Sequence, residues 1–313
     1  MNPILKGALT YAPGVKKYLH KQGFGSTHSA TYCYGVWLKH IVLLNQCGYT
    51  NNANVMAELG PGGSLGLGLA GVLSGINKYY ALDVVKYVNV ESNLKVLDEL
   101  IELFRSRASR PTKGWPDFDE YLSDDLFPHK ILTDELLEKT LAPKRIDAIR
   151  AAIRSPGEQV DGIEINYQAP WSKSGFIKDN SVDLLLSQST LEHVEDLPET
   201  YEILARWMKS GGWMSHQIDF QSHGISEYWD GYRKYSEFTW RIVKGKRQYL
   251  INRAPQGDHL KYLTENGFNI ELDLKNFTSS DPQLPANQRA TRWKNLTEHD
   301  LNTISSFLVS RLG

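Results

Sequence analysis

One stretch limits the fold of this chain more than any other: Val55-Met-Ala-Glu-Leu-Gly-Pro-Gly-Gly-Ser-Leu-Gly66. A short apolar strand runs into an acid and a glycine-rich turn. After one helix-length segment comes Tyr79-Tyr-Ala-Leu-Asp-Val84, a second strand that also ends in an acid. Glycines at such a turn let the backbone approach a ligand with no Cβ in the way. Asp83, at the tip of the second strand, can accept hydrogen bonds from both hydroxyls of a ribose. An open α/β sheet that holds a nucleoside-containing cofactor is the expected fold.

The spacing of the glycines narrows the nucleoside. The dinucleotide pattern G-x-G-x-x-G would start at Gly60 and Gly62 and need a third glycine where Leu65 stands. Glu58 lies at the strand end, just before the glycines. A carboxylate there is a poor neighbour for a pyrophosphate and a good one for an ammonium or a sulfonium. S-adenosylmethionine carries both cations and no phosphate. An acid followed by glycines at +2 and +4 resembles motif I of class I S-adenosylmethionine-dependent methyltransferases, with Ser64 in place of the glycine at +6.

The later chain extends the resemblance over about 55–275. The run Asn180-Ser-Val-Asp-Leu-Leu-Leu-Ser-Gln-Ser-Thr-Leu-Glu-His-Val194 reads as a buried strand with a polar end. A helix over 197–208 follows, with Leu197, Tyr201, Leu204 and Met208 on one face. Gly211-Gly212 reads as its stop, and a strand begins at Trp213. The resemblance implies a Rossmann-like, mostly parallel seven-stranded sheet with helical insertions. It implies a cofactor cradle of Glu58, Gly60, Pro61 and Gly62 on the first turn, Asp83 and Val84 on the second, and Gln188 and Ser189 after strand four. More narrowly, His216-Gln-Ile-Asp-Phe-Gln-Ser-His223, Tyr249-Leu-Ile-Asn-Arg253 and Gly267-Phe268 resemble methyltransferases of polysaccharide biosynthesis clusters. That likeness implies an acceptor that is a sugar, a nucleotide sugar or an oligosaccharide.

Composition excludes other classes. The formal charge of −1 over 313 residues steers the chain to neither nucleic acid nor an anionic membrane. Cys33 and Cys47, the two cysteines, make no disulfide framework and fit a reducing compartment. Lys6, Lys16 and Lys17 interrupt the amino-terminal segment, and no run nears the ~20 apolar residues of a membrane span. A cytoplasmic protein is expected, and homo-oligomer formation stays open.

Five segments organise the chain. Residues 1–52 form an amino-terminal helical segment, with a helix over 31–45 packed on the sheet or over the cofactor. Residues 53–86 begin the core. The span 87–158 exceeds an ordinary strand-to-helix connection. It reads as a helical insertion, with a stripe of Val90, Leu94, Leu97, Ile101 and Phe104, a helix capped by Thr133, and a third beyond Pro143. Residues 159–277 complete the core, starting at Gly162-Ile-Glu-Ile-Asn166, and carry an aromatic and basic insertion at 221–256. The tail 278–313 reads as polar, then weakly helical, with no assigned role.

Methyl transfer from a sulfonium is an in-line displacement, so the protein chiefly positions two reactants. An alcohol acceptor also needs a base nearby. The candidates follow strands four and five: His193 in the Leu-Glu-His-Val loop, and His223 oriented by Asp219. His216, Asp219 and His223, two histidines and one aspartate over eight residues, specify neither magnesium nor zinc, so no metal is assigned. Arg241, Lys244, Lys246, Arg247 and Arg253, interleaved with Trp240 and Tyr249, form either a phosphate site or a solvated face. The alternatives are another small N- or O-acceptor, or a noncatalytic cofactor-binding scaffold subunit. An intact Glu58, Gly60, Gly62 and Asp83 set argues against the scaffold.

Overall fold

A five-residue strand, β1 (Val55–Leu59), is buried at every position and lies inside the sheet. The computed structural model describes residues 2–12, 26–111, 121–171, 175–247, 250–277 and 279–313. In it, β1 pairs in parallel with β2 (Lys78–Leu82) on one side and β5 (Val182–Gln188) on the other. The edge beyond β2 is a hairpin of β3 (Gln159–Val160) and β4 (Ile163–Gln168). Asp161 and Gly162, both at positive φ, make its two-residue turn. Beyond β5 lie β6 (Met208–Asp219), then β8 (Ser305–Leu312), then β7 (Phe268–Asn276). The order β3-β4-β2-β1-β5-β6-β8-β7 has a parallel centre, with β8 running antiparallel to both neighbours.

The sheet therefore has eight strands rather than seven, because the two-residue β3 adds an edge. The larger difference is β8. The tail that read as polar supplies a strand buried at its first six positions. Its serines dilute the apolar signal, yet Phe307 and Val309 enter one core and Leu308 the other. Gly211 also departs from expectation. The helix ends at Trp207, and Gly211, at φ +74, lies inside β6 rather than stopping the helix.

Helices cover both faces. On one face, α2 (Ala30–Gln46), α3 (Gly66–Leu73), α4 (Val90–Arg105) and α6 (Pro143–Arg154) pack Trp37, Leu69, Leu100 and Ile149 against Met56, Ile165 and Leu184. Between α4 and α6, Thr133 caps α5 (Asp134–Thr140) by accepting from Leu136 N–H. The buried stripe of α4 is Val96, Leu97, Leu100, Ile101 and Phe104, and Val90 faces outward. On the other face, α7 (Leu197–Trp207) and α9 (Gln256–Glu265) pack Tyr201, Leu204 and Leu263 against Ala57, Leu185 and Met214.

A third, smaller core joins α8 (Glu237–Lys244) to Tyr232, Ile251 and Trp293. The amino-terminal α1 (Pro3–Leu9) lies on α8, so close that a Cβ on Gly7 would meet the Ile242 carbonyl. A short α10 (Glu298–Asn302) precedes β8. Among the described residues no helix is long and apolar enough to cross a membrane. The carboxyl ends of β1, β2, β4, β5 and β6 share one edge of the sheet, where open α/β sheets carry their ligands.

Candidate active site

The glycine turn after β1 is built from three close approaches. Gly60 and Gly62 adopt φ near +71 and +70, a region that L side chains rarely enter. Gly60 N–H donates to the Leu82 carbonyl at 2.8 Å. A Cβ there would lie 2.4 Å from Thr190 Oγ1, and that hydroxyl donates to the Leu59 carbonyl at 3.1 Å. The loop after β5 thus fits the space left by the missing side chain. Gly63 N–H donates to Thr27 Oγ1 at 2.8 Å, which brings the approach to α2 over the turn. Pro61 is buried within it.

Asp83 follows β2 and is buried. Its Oδ2 accepts from Gly62 N–H at 3.2 Å and its Oδ1 from Val84 N–H at 2.7 Å. Burial raises its pKa, against the pull of those N–H groups. A carboxylate has about four acceptor sites, so ribose hydroxyls can add to these bonds without displacing them. Val84, half exposed beside it, offers an apolar edge for a purine. The turn, Asp83 and Val84 therefore fit a nucleoside.

Glu58 takes a different position from the one its spacing suggests. It is 2% exposed and faces the α3 side of β1. Tyr79 O–H donates to its Oε2 at 2.5 Å, and Gly68 supplies a backbone donor. Burial pushes the carboxyl up to about 8, and the nearby Asp83 carboxylate adds to the rise. Its carboxyl supports the turn from beneath, while Asp83 and the backbone of the glycines edge the opening.

After β5, Ser189 holds φ +49, an uncommon conformation for a residue with a side chain. Its N–H donates to the Gln217 carbonyl at 2.9 Å, and Gln188 Oε1 lies 3.3 Å from His40 Nε2. A single 3-10 turn, Leu191–His193, comes next. Asn252 fixes it: its Nδ2 donates to the Leu191 carbonyl at 2.7 Å and to that of Val194 at 2.9 Å, and its N–H to that of Glu192 at 2.6 Å.

This turn brings together His193 and His223, whose ring centres are 5.1 Å apart. Asp219 Oδ2 lies 3.4 Å from His223 Nε2. Glu192, which spacing alone does not single out, joins them at 2% exposure. Burial, and next the Asp219 carboxylate, hold its pKa well above the usual range. His216 is a core residue instead. It is fully buried, with Nδ1 2.8 Å from Ser187 Oγ, and burial lowers its pKa to about 3.

Three cations of the basic segment, Arg253, Lys244 and Arg247, are engaged within the fold. Arg253 is buried, its guanidinium 4.5 Å from the Trp240 ring centre and 2.8 Å from Glu237 Oε1. Lys244 pairs with Glu195 at 2.7 Å, and Arg247 turns back to the carbonyl of Lys244. Tyr249 lies outside the described residues. Spacing alone could not show that Arg253 is enclosed by Trp240 and by Trp293, forty residues further on.

Residues 135–215, from α5 into β6, match the model of a methyltransferase domain. No curated protein matches the chain. Among solved structures it is similar to an S-adenosylmethionine-dependent methyltransferase from Mesorhizobium loti, at 13% identity, over 87% of this chain and 97% of that one, TM-score 0.43. A Methanosarcina mazei methyltransferase gives 14% identity over 86% and 96%, TM-score 0.42. Haemonchus contortus phosphoethanolamine N-methyltransferase 2, solved with S-adenosyl-L-methionine, gives 12% over 96% and 60%, TM-score 0.43. The strand order is that of a class I methyltransferase fold, and residues 135–215 match a methyltransferase domain.

Proposed function

We propose that the enzyme methylates a sugar hydroxyl during glycan assembly. One observation carries this reading. A cavity of about 570 Å³ opens beside the end of β6 rather than at the glycine turn. Its wall includes Ile304, whose carbonyl accepts from the N–H of Phe220, the residue after Asp219. Trp229 and Phe277 give it aromatic surface, and Asp281, Gln283, Glu298 and Asn302 give it carboxylates and amides. Aromatic faces with hydrogen-bonding groups around them suit a sugar ring, which is apolar on its faces and polar at its rim. Phosphate recognition has less support, since Arg253 is enclosed.

The cofactor supplies an activated methyl group on a sulfonium. The chain's own residues bind the nucleoside at Asp83 and the glycine turn, and hold the acceptor in line with that methyl. The hydroxyl proton leaves where His193, Asp219 and His223 meet. Mass spectrometry of the purified enzyme with S-adenosylmethionine and a panel of nucleotide sugars, oligosaccharides and small amines tests the reading. One methyl group added to a sugar hydroxyl is expected. Transfer to amines alone, with the sugars untouched, would overturn it.

A further inference from the structure

The geometry points to a divalent transition-metal site at the turn after β5, formed by Glu192, His193 and His223. One ligand atom from each residue lies within 4.8 Å of the others. The residues come from two loops, 191–193 and 219–223, which Asn252 and the end of β6 hold in place. The second observation is independent of that clustering. Both carboxylate oxygens of Glu192 are buried at 2% residue exposure and make no hydrogen bond of ordinary geometry among the described residues, although the backbone N–H groups of Glu192 itself and of Asp219 lie close enough to lower its pKa. A buried carboxyl with empty acceptor sites is costly, and a cation is the ligand that would answer both oxygens.

The donor set selects the ion. Two imidazoles and one carboxylate suit zinc, manganese or ferrous iron, whereas magnesium and calcium prefer oxygen ligands alone. Three protein ligands leave a position open for a water or a hydroxyl, the arrangement of catalytic rather than structural zinc sites. Asp219 lies 3.4 Å from His223 Nε2 and is the carboxylate that orients this ring. His223 holds φ +47, an uncommon conformation that the loop maintains while presenting the side chain.

The ion's role rests on the reading of a hydroxyl acceptor. Bound at the open position, the acceptor hydroxyl would lose its proton to water more readily, and His193 and His223 would then act as ligands in place of the base. Its oxygen then bonds to the methyl carbon as the carbon–sulfur bond breaks, and that electron pair stays on sulfur in S-adenosylhomocysteine.

The test separates binding from chemistry. Chelator-stripped enzyme is titrated calorimetrically with zinc, and separately with magnesium, without acceptor. One zinc per chain is expected, with magnesium at least tenfold weaker. Glu192→Gln, which keeps the side-chain volume, and His193→Ala should each weaken zinc binding more than tenfold while urea unfolding stays cooperative. No zinc binding to the wild type, equal binding of magnesium, or unchanged affinity in both variants would overturn the site. Zinc binding with no sugar methylation would sink the proposed acceptor and leave the site standing. Sugar methylation at full rate after chelation would overturn the ion's role.

Discussion

Glu58→Gln is expected to stabilise the cofactor-free protein at alkaline pH. The carboxyl titrates at about 8 in the folded protein, against 4.5 for an ordinary glutamate. Between those values the folded protein keeps a proton that the unfolded chain has released. Stability from this group is therefore full at low pH and falls as pH rises towards 8, by about 1.4 kcal/mol per unit. From pH 5 to 8 the loss is about 3 kcal/mol, large against a usual total of about 5–15 kcal/mol. Glutamine stays neutral throughout and can still accept from Tyr79 O–H. Urea unfolding at pH 5, 6.5 and 8 checks this. The wild-type and variant curves should diverge with pH, and their difference isolates this group. Parallel curves would show that Glu58 ionises normally in the fold.

Arg233→Met should destabilise the protein by about 3–5 kcal/mol, because it leaves a buried carboxylate without its partner. Arg233 and Asp230 are both 1% exposed or less, and lie 3.2 Å apart. Arg233 also donates to the carbonyls of Asp300 and Leu301 at 2.7 Å. Asp230 accepts from Leu284 N–H at 2.6 Å. The pair thus ties the segment after β6 to the approach to β8, the wall of the cavity beside the site. Met fills much of the volume but answers none of these groups. A urea midpoint shifted down with an unchanged slope is expected. An unshifted midpoint would mean that Asp230 finds another partner without cost.

The sequence made the centre of the molecule legible. β1, the glycine turn, β2 and β5 follow from apolar runs that end in turn residues, and α5 and α6 from Thr133 and Pro143. Such signals are local. What escaped depends on distant partners. β8 is diluted by Ser305, Ser306 and Ser310, and only pairing with both β6 and β7 makes it a strand. Arg253 looked like a surface cation until Trp240 and Trp293 closed around it. Glu192 looked like one more loop acid beside His193. A Glu-His pair followed by an Asp and a His after the next strand was the available signal, but spacing alone cannot show a carboxylate turned inward without partners.

The most direct test of the central claim is calorimetric titration of S-adenosylhomocysteine into the wild type and into Asp83→Ala. Asp83 should hold the ribose through charge-assisted hydrogen bonds, each about 1.5–3 kcal/mol at most. The account predicts one site per chain, and an affinity about 30-fold lower in Asp83→Ala, equivalent to about 2 kcal/mol. No binding to folded wild type, or equal affinity in the two proteins, would contradict it.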